Sequence, residues 1–219
     1  MPFDDFRRRG PERGPGERAI NLPPAILWLI GINIAVQVVR LMVDAQLDDE
    51  IVLGLGLVPA AYTSDIGAGL PALIAAPFTY QFIHGGWVHL GINMLSLAAF
   101  GAPVERLLGS RRFVVFYLSA GMVAGLVHVL SYPDSADPVV GASGAVSGVF
   151  GAVLMMMRRV GNLPSLLPVA GIWIGINVFF GLFGGAPGSD GTPVAWVAHI
   201  GGFVYGLLAI RLFAPPDPD

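Results

Sequence analysis

Uncharged, largely apolar runs recur along the whole chain. Six of them, residues 22–39, 88–104, 113–131, 139–157, 163–183 and 193–210, are 17 to 21 residues long. A helix crossing the roughly 30 Å hydrocarbon core of a bilayer needs about 17–25 such residues, so each run predicts one transmembrane helix. The first run is too long for the core of a secretion signal and has no clear small-residue cleavage site, so it reads as a retained helix.

A seventh run, 66–83, is 18 residues long and also uncharged. Arginine placement decides against counting it, because cytoplasmic loops of membrane proteins collect Lys and Arg. With six spans and a cytoplasmic N-terminus, Arg7, Arg8, Arg9, Arg13, Arg18, Arg106, Arg111, Arg112, Arg158, Arg159 and Arg211 all fall inside. Asp44, Asp48, Asp49, Glu50, Asp65, Asp134, Asp137 and Asp190 fall outside. Arg40 is the exception, at a helix end from which it can snorkel to the interface. A span at 66–83 would flip every later loop and put the arginine clusters outside. Residues 44–86 therefore read as a long outer loop, partly embedded. Pro71, Pro77 and its paired glycines suit an irregular, re-entrant path, tolerated at membrane depth only where protein buries it.

Composition fits a membrane protein. The chain is 54% hydrophobic and 12% charged, against about 25% charged in soluble domains. It has no lysine, so all 12 basic residues are arginine, and no cysteine, which removes disulfide and thiolate chemistry. A net charge of −3 gives no reason to expect a nucleic-acid partner. Three parts are expected: a flexible Arg/Pro/Gly-rich tail over 1–20, one six-helix membrane domain over 21–213 without internal repeats, and a short tail over 214–219. The predicted setting is the lipid bilayer of the cell membrane, with both termini cytoplasmic.

Depth then groups the polar residues. The runs holding Ser143, His199, and the pair His89 and Asn93 all begin on the outer side. His89 and Asn93 are four residues apart and share a helix face. Four hydrogen-bonding side chains from three helices thus occupy one layer in the outer half of the membrane. Taken singly, each has a plain reading: a membrane serine bonds back to its own helix, and a membrane histidine or asparagine bridges helices. The shared depth favours a site, because polar groups inside a membrane are rare and functional by default.

A serine becomes a nucleophile when a histidine takes its proton. No Asp or Glu lies in the outer half of any predicted helix, so Ser143 and His199 read as a dyad. An oxyanion needs donors, and the Ser143 backbone N–H, His89 and Asn93 are available. His84 reads as a loop stabiliser. Gly144 and Gly148 on one helix, and Gly202 and Gly206 on the other, offer the small faces that let helices approach closely. No cofactor or metal is expected.

These motifs together resemble the rhomboid intramembrane serine proteases. "GASG" at 141–144 looks like the nucleophile motif, "AHIGGFVYG" at 198–206 the histidine helix, and "HGGWVHLGIN" at 84–93 the family's His, His, Asn pattern. "GAPVERLLG" at 101–109 resembles the Glu-containing end of the second helix. The resemblance implies an all-α, six-transmembrane-helix rhomboid bundle with a dyad open to the outer side. It assigns Ser143 as nucleophile, His199 as base, His89 and Asn93 as oxyanion donors and His84 as loop support, with transmembrane proteins as substrates. Two departures stand out. Many relatives carry a Trp-Arg pair about nine residues before the first motif histidine, where this chain has Ala75 and Ala76. Many also carry a tyrosine one turn below the nucleophile whose ring packs on the histidine. Here that residue is Ser147, so another group must fix the His199 ring. The glycine-rich stretch 184–194 has the composition of a mobile lid or a plain connector.

Two other classes remain open. An inactive relative that binds membrane clients should lose the serine or the histidine, and both are present. A small transporter would line a path with the same four residues, but transporters often show inverted repeats and polar groups at mid-membrane. Neither feature is visible.

Overall fold

The computed structural model describes residues 21–64, 69–184 and 195–214. The expected tails, apart from Ala214, and residues 185–194 of the glycine-rich stretch lie outside the described residues. Eight α-helices are described: α1 (Pro24–Arg40), α2 (Ala45–Leu55), α3 (Leu70–Thr79), α4 (Trp87–Leu108), α5 (Ser110–Ser131), α6 (Ser143–Arg159), α7 (Leu167–Phe183) and α8 (Trp196–Phe213). Short 3₁₀ turns occupy Pro59–Tyr62 and Tyr80–Phe82. The β pairing among the described residues is a single bridge, Leu57 to Val139.

By length and composition, α4, α5 and α8 are able to cross a membrane, and α1 and α7 are apolar helices of 17 residues each. Helix α6 also has 17 residues and ends on Arg158 and Arg159. Within the predicted outer loop, α3 has ten residues, about 15 Å at 1.5 Å per residue. The segment expected to be irregular is thus helical in short pieces, with Pro77 inside α3.

Helix α1 begins at Pro24, where proline's missing N–H is no loss. Its next two N–H groups, on Ala25 and Ile26, each donate to a carboxylate oxygen of Glu105 at 2.9 Å. Ser110 Oγ donates to the same carboxylate at 2.7 Å. Glu105 is buried, and a negative charge at a helix N-terminus is favoured by the helix dipole. This cap comes from the far end of α4, so it also fixes where α1 meets the α4–α5 turn. That turn is Gly109 alone, with φ +76°, a conformation in which glycine has no Cβ penalty.

Helix α6 lies at the centre. It packs most extensively on α8 and also on α5 and α4, and Gly144 through Val149 are all buried. The core cluster it joins includes Ile26 and Leu29 of α1, Leu97 and Val104 of α4, and Phe113, Phe116 and Tyr117 of α5. Large apolar side chains that stay exposed, such as Trp28, Leu95, Leu130, Leu182 and Leu208, suit a molecule whose surrounding solvent is lipid rather than water.

Small residues set the distance between α6 and α8. A Cβ on Gly148 would stand 3.0 Å from the Gly202 carbonyl oxygen and 2.6 Å from Ala120 Cβ. One on Gly202 would stand 3.0 Å from the Gly144 carbonyl carbon, and nearer still to its oxygen. One on Gly206 would meet the Gly148 backbone, and one on Gly144 would stand 2.6 Å from Ala124 Cβ. Backbone meets backbone at this crossing, and a residue with a side chain does not fit between.

Candidate active site

Ser143 is the first residue of α6, and the chain leading into it is held from three directions. Leu57 and Val139 exchange backbone hydrogen bonds of 3.0 and 2.9 Å. The Gly141 N–H donates to the Tyr80 carbonyl at 2.9 Å, and the Tyr80 hydroxyl donates to the Gly121 carbonyl of α5 at 2.6 Å. The Ala142 N–H donates to His84 Nε2 at 3.4 Å. Gly141 has φ +119°, a strained value for a residue with a side chain. A Cβ there would also stand 2.8 Å from His89 Nε2. Glycine two residues before the serine is therefore required twice, for its backbone conformation and for the approach of His89.

His199 lies in the first turn of α8, and its Nε2 is 2.7 Å from Ser143 Oγ. The two side chains come from different helices 56 positions apart, and both are half-buried. Their contact depends on the glycine-lined approach of α6 and α8 described above.

His89, in the first turn of α4, accepts the Gly85 N–H on Nδ1 at 3.3 Å. A neutral ring accepting on Nδ1 carries its proton on Nε2, the nitrogen beside Gly141. His84 and His89 rings meet edge to face with centroids 5.1 Å apart. Asn93 is buried, and its Nδ2 donates to the His89 carbonyl one turn back at 2.9 Å. Ser147 is buried on α6.

Burial pushes His84 down to about 3, with His89 nearby acting in the same direction. The ring is thereby kept neutral, as its role as acceptor from Ala142 requires.

Two features escaped the sequence. Arg40 is the first. It forms a two-pronged ion pair with Asp48 of α2, with Nε and Nη2 donating at 2.7 and 2.9 Å, and Nη1 donates to the His84 carbonyl. It thus ties α1, α2 and the His84 loop together. Asn177 of α7 is the second. Its Oδ1 lies 2.7 Å from His199 Nδ1, and its Nδ2 donates to the Trp173 carbonyl at 2.8 Å. A lone amide in an otherwise apolar helix was the available signal. An amide carries no charge, so the charge pattern does not mark it.

With this geometry in place, comparison with known proteins gives a consistent result. A family model described as the Rhomboid domain matches residues 74–216. The chain is 34% identical over 142 residues to Rhomboid protease GluP of Bacillus subtilis, covering 61% of this chain and 25% of that protein. It is 33% identical over 138 residues to Rhomboid protein 1, mitochondrial, of Saccharomyces cerevisiae, covering 58% and 38%. It is 33% identical over 145 residues to Rhomboid-type serine protease 2 of Emericella nidulans, covering 64% and 26%. The match thus spans between a quarter and two fifths of the length of these relatives. A family match over most of the chain, seated on helices that bring a serine and a histidine into contact, establishes that this chain belongs to the rhomboid family.

Proposed function

We propose that this protein is an intramembrane serine endopeptidase that cleaves transmembrane proteins near the outer membrane face. The carrying observation is the 2.7 Å contact between Ser143 Oγ and His199 Nε2, made across two helices rather than within one. Ser143 is the nucleophile and His199 the general base. As Oγ bonds to the scissile carbonyl carbon, its proton passes to Nε2. The carbonyl oxygen becomes an oxyanion, stabilised by the Ser143 backbone N–H together with His89 and Asn93. The tetrahedral species collapses, the C–N bond breaks, and the leaving amine takes the proton from His199. Water then attacks the acyl-enzyme with His199 again as base, releasing the carboxylate and restoring Ser143. His84 supports the loop that presents Ser143, and Gly144, Gly148, Gly202 and Gly206 permit the contact.

The same reading sets the topology. Helices α1, α4, α5, α6, α7 and α8 span, both termini face the cytoplasm, and residues 44–86 form the embedded outer loop. The dyad, at the outer ends of α6 and α8, is then reachable by water from outside. A substrate helix must unwind to offer an extended peptide, so helix-breaking residues near its outer boundary are favoured.

The test uses purified protein in detergent and liposomes. Wild type should react with a fluorophosphonate and cleave a transmembrane test substrate, whereas Ser143→Ala and His199→Ala should do neither. Loss of a catalytic serine costs on the order of 10⁶ in rate in a soluble protease, and the double variant should cost little more. Near wild-type cleavage by Ser143→Ala would remove the nucleophile assignment. Reporters placed between Arg158 and Gly161 and after Phe213 should be cytoplasmic, and one within 133–138 should be outside. A cytoplasmic signal from 133–138 would overturn the six-span topology.

A further inference from the structure

We propose that Asn177 is a positioning residue for the dyad. Its side-chain oxygen fixes the His199 ring with the proton on Nδ1 and the Nε2 lone pair facing Ser143. This inference rests on the protease reading above, and it names a group that neither the motifs nor the family match assigns.

The amide orientation follows from its own hydrogen bonds. The oxygen and nitrogen of an asparagine are assigned from the network around them. Asn177 has a carbonyl, that of Trp173, 2.8 Å from one terminus. Only the NH₂ can donate there. The other terminus, 2.7 Å from His199 Nδ1, is therefore the acceptor oxygen, and it requires a proton on Nδ1. A neutral imidazole has one N–H, so Nε2 is left as an acceptor. Ser143 Oγ, 2.7 Å away, then donates to it, the arrangement a general base needs before proton transfer. After transfer, the imidazolium's Nδ1–H still has its acceptor, so the ring need not turn between the two halves of the reaction.

Packing holds the amide where it is. Trp173 and Gly181 lie four residues before and after Asn177, one turn away on the same face of α7. The Trp173 ring packs against Phe150 of α6 at a centroid distance of 4.8 Å and against Phe203 of α8 at 6.2 Å. At the other turn, a Cβ on Gly181 would strike the Trp196 ring of α8. These contacts fix the height and rotation of α7 against α8, its main packing partner. Asn177 is the buried residue of α7, and its amide is aimed at the histidine.

The residue type also has a reason. A carboxylate would accept the same proton, but a buried charge is expensive inside a membrane. A neutral amide makes the hydrogen bond without that cost. It also supplies what Ser147 does not, since a serine has no ring to pack on the imidazole.

A structural tie between α7 and α8 would use the same contacts, so the experiment separates orientation from adhesion. Full-length protein in detergent is assayed for kcat, KM, fluorophosphonate labelling rate and thermal unfolding in wild type, Asn177→Ala and Asn177→Asp. The His199 tautomer is read by ¹⁵N NMR of ¹⁵N-histidine protein, assigned with His199→Gln. Wild type should show the Nδ1–H tautomer. Asn177→Ala should lower kcat and labelling together by about 10–100-fold, the range for losing the partner that orients a metal-bound histidine, with KM unchanged within about twofold. Its tautomer signal should shift toward Nε2–H. Asn177→Asp should keep more activity than Asn177→Ala and move the acid limb of the kcat/KM profile to higher pH, because a carboxylate stabilises the imidazolium. Wild-type kcat and labelling in Asn177→Ala, with or without a lower melting temperature, would overturn the proposal. A wild-type His199 lacking a proton on Nδ1 would overturn it even if no variant folded. If wild type instead failed to label and Ser143→Ala changed nothing, the protease reading would fall, while the tautomer would still report on the Asn177 bond.

Discussion

Replacing Gly202 by alanine should disable the dyad from a distance. Gly202 lies three residues beyond His199, on the turn of α8 that faces Gly144, the residue after Ser143. The added Cβ would stand 3.0 Å from the Gly144 carbonyl carbon, where carbon atoms settle at about 3.5–4.0 Å. The obstacle is backbone, with the carbonyl oxygen nearer still, so no side chain can swing aside and the helices must part by at least about 0.5–1 Å. The same separation acts on the 2.7 Å contact between Ser143 Oγ and His199 Nε2. It would lengthen to at least about 3.2–3.7 Å, at or beyond the limit for proton transfer through a hydrogen bond. Misplacement of about 1 Å costs on the order of 100-fold in rate, and overpacking of this kind costs about 1–3 kcal/mol of stability.

Turnover of a transmembrane test substrate, fluorophosphonate labelling and thermal unfolding of Gly202→Ala should be measured side by side. Labelling should fall about as far as turnover, since both need the serine activated. Gly171→Ala and Gly175→Ala serve as controls, because a Cβ at either meets nothing within 4 Å. A folded Gly202→Ala that labels at the wild-type rate would refute the coupling between helix spacing and the dyad.

Three further outcomes follow from the same geometry. Glu105→Ala leaves the Ala25 and Ile26 N–H groups without their acceptor and should lower stability by about 2–3 kcal/mol, with Glu105→Gln losing less, as thermal unfolding would show. Arg40→Ala removes the ties to Asp48 and the His84 carbonyl and should cost about 1.5–3 kcal/mol. Asp48→Asn, which keeps the His84 tie, should cost less, and equal losses would count against that tie. His84, held at about 3 in the folded protein, is protonated only in the unfolded state as pH falls below its ordinary 6.5. Stability should therefore be level above pH 6.5 and fall by up to about 1.4 kcal/mol per pH unit as pH drops toward 3. His84→Asn should flatten that slope between pH 6.5 and 4.5, and an unchanged slope would sink the assignment.

Much of the architecture was legible because lipid imposes a simple code. Length and apolarity marked the segments that became α1, α4, α5, α6, α7 and α8. The pairing of Ser143 with His199 was legible because both stood at similar depth beside glycines spaced for close packing. Most of what was not legible shares one cause: a partner far away in sequence whose identity depends on rotation about a helix axis. Depth can be counted along a run of residues. Rotation cannot, so nothing in the run 163–183 announced that Asn177 would face His199 rather than lipid. Glu105 stood out as a carboxylate at a helix end, but that it caps α1 follows only from how two helices cross. The outer loop failed differently. Its prolines and glycines argued for irregular backbone, yet Pro71 lies in the first turn of α3, where proline is tolerated.

The two departures from the family's motifs can be argued together. A Trp-Arg pair is missing before His84, and an aromatic ring is missing one turn below Ser143. Each absence removes a residue but leaves a physical requirement. The first outer loop still has to be fixed, because the His84 that accepts the Ala142 N–H sits on it. Here the arginine comes from the end of α1, and it reaches the His84 carbonyl while paired with Asp48. The histidine ring also still has to be oriented, because a freely rotating imidazole would offer Ser143 its N–H as often as its lone pair. Asn177 meets that requirement from α7, through an amide whose other end is already committed to Trp173. In this chain both ties come from a different helix, where a scan of local motifs does not look. Members of the family that lack the aromatic ring should therefore be searched for a hydrogen-bond acceptor on the helix facing the histidine, rather than set aside as inactive.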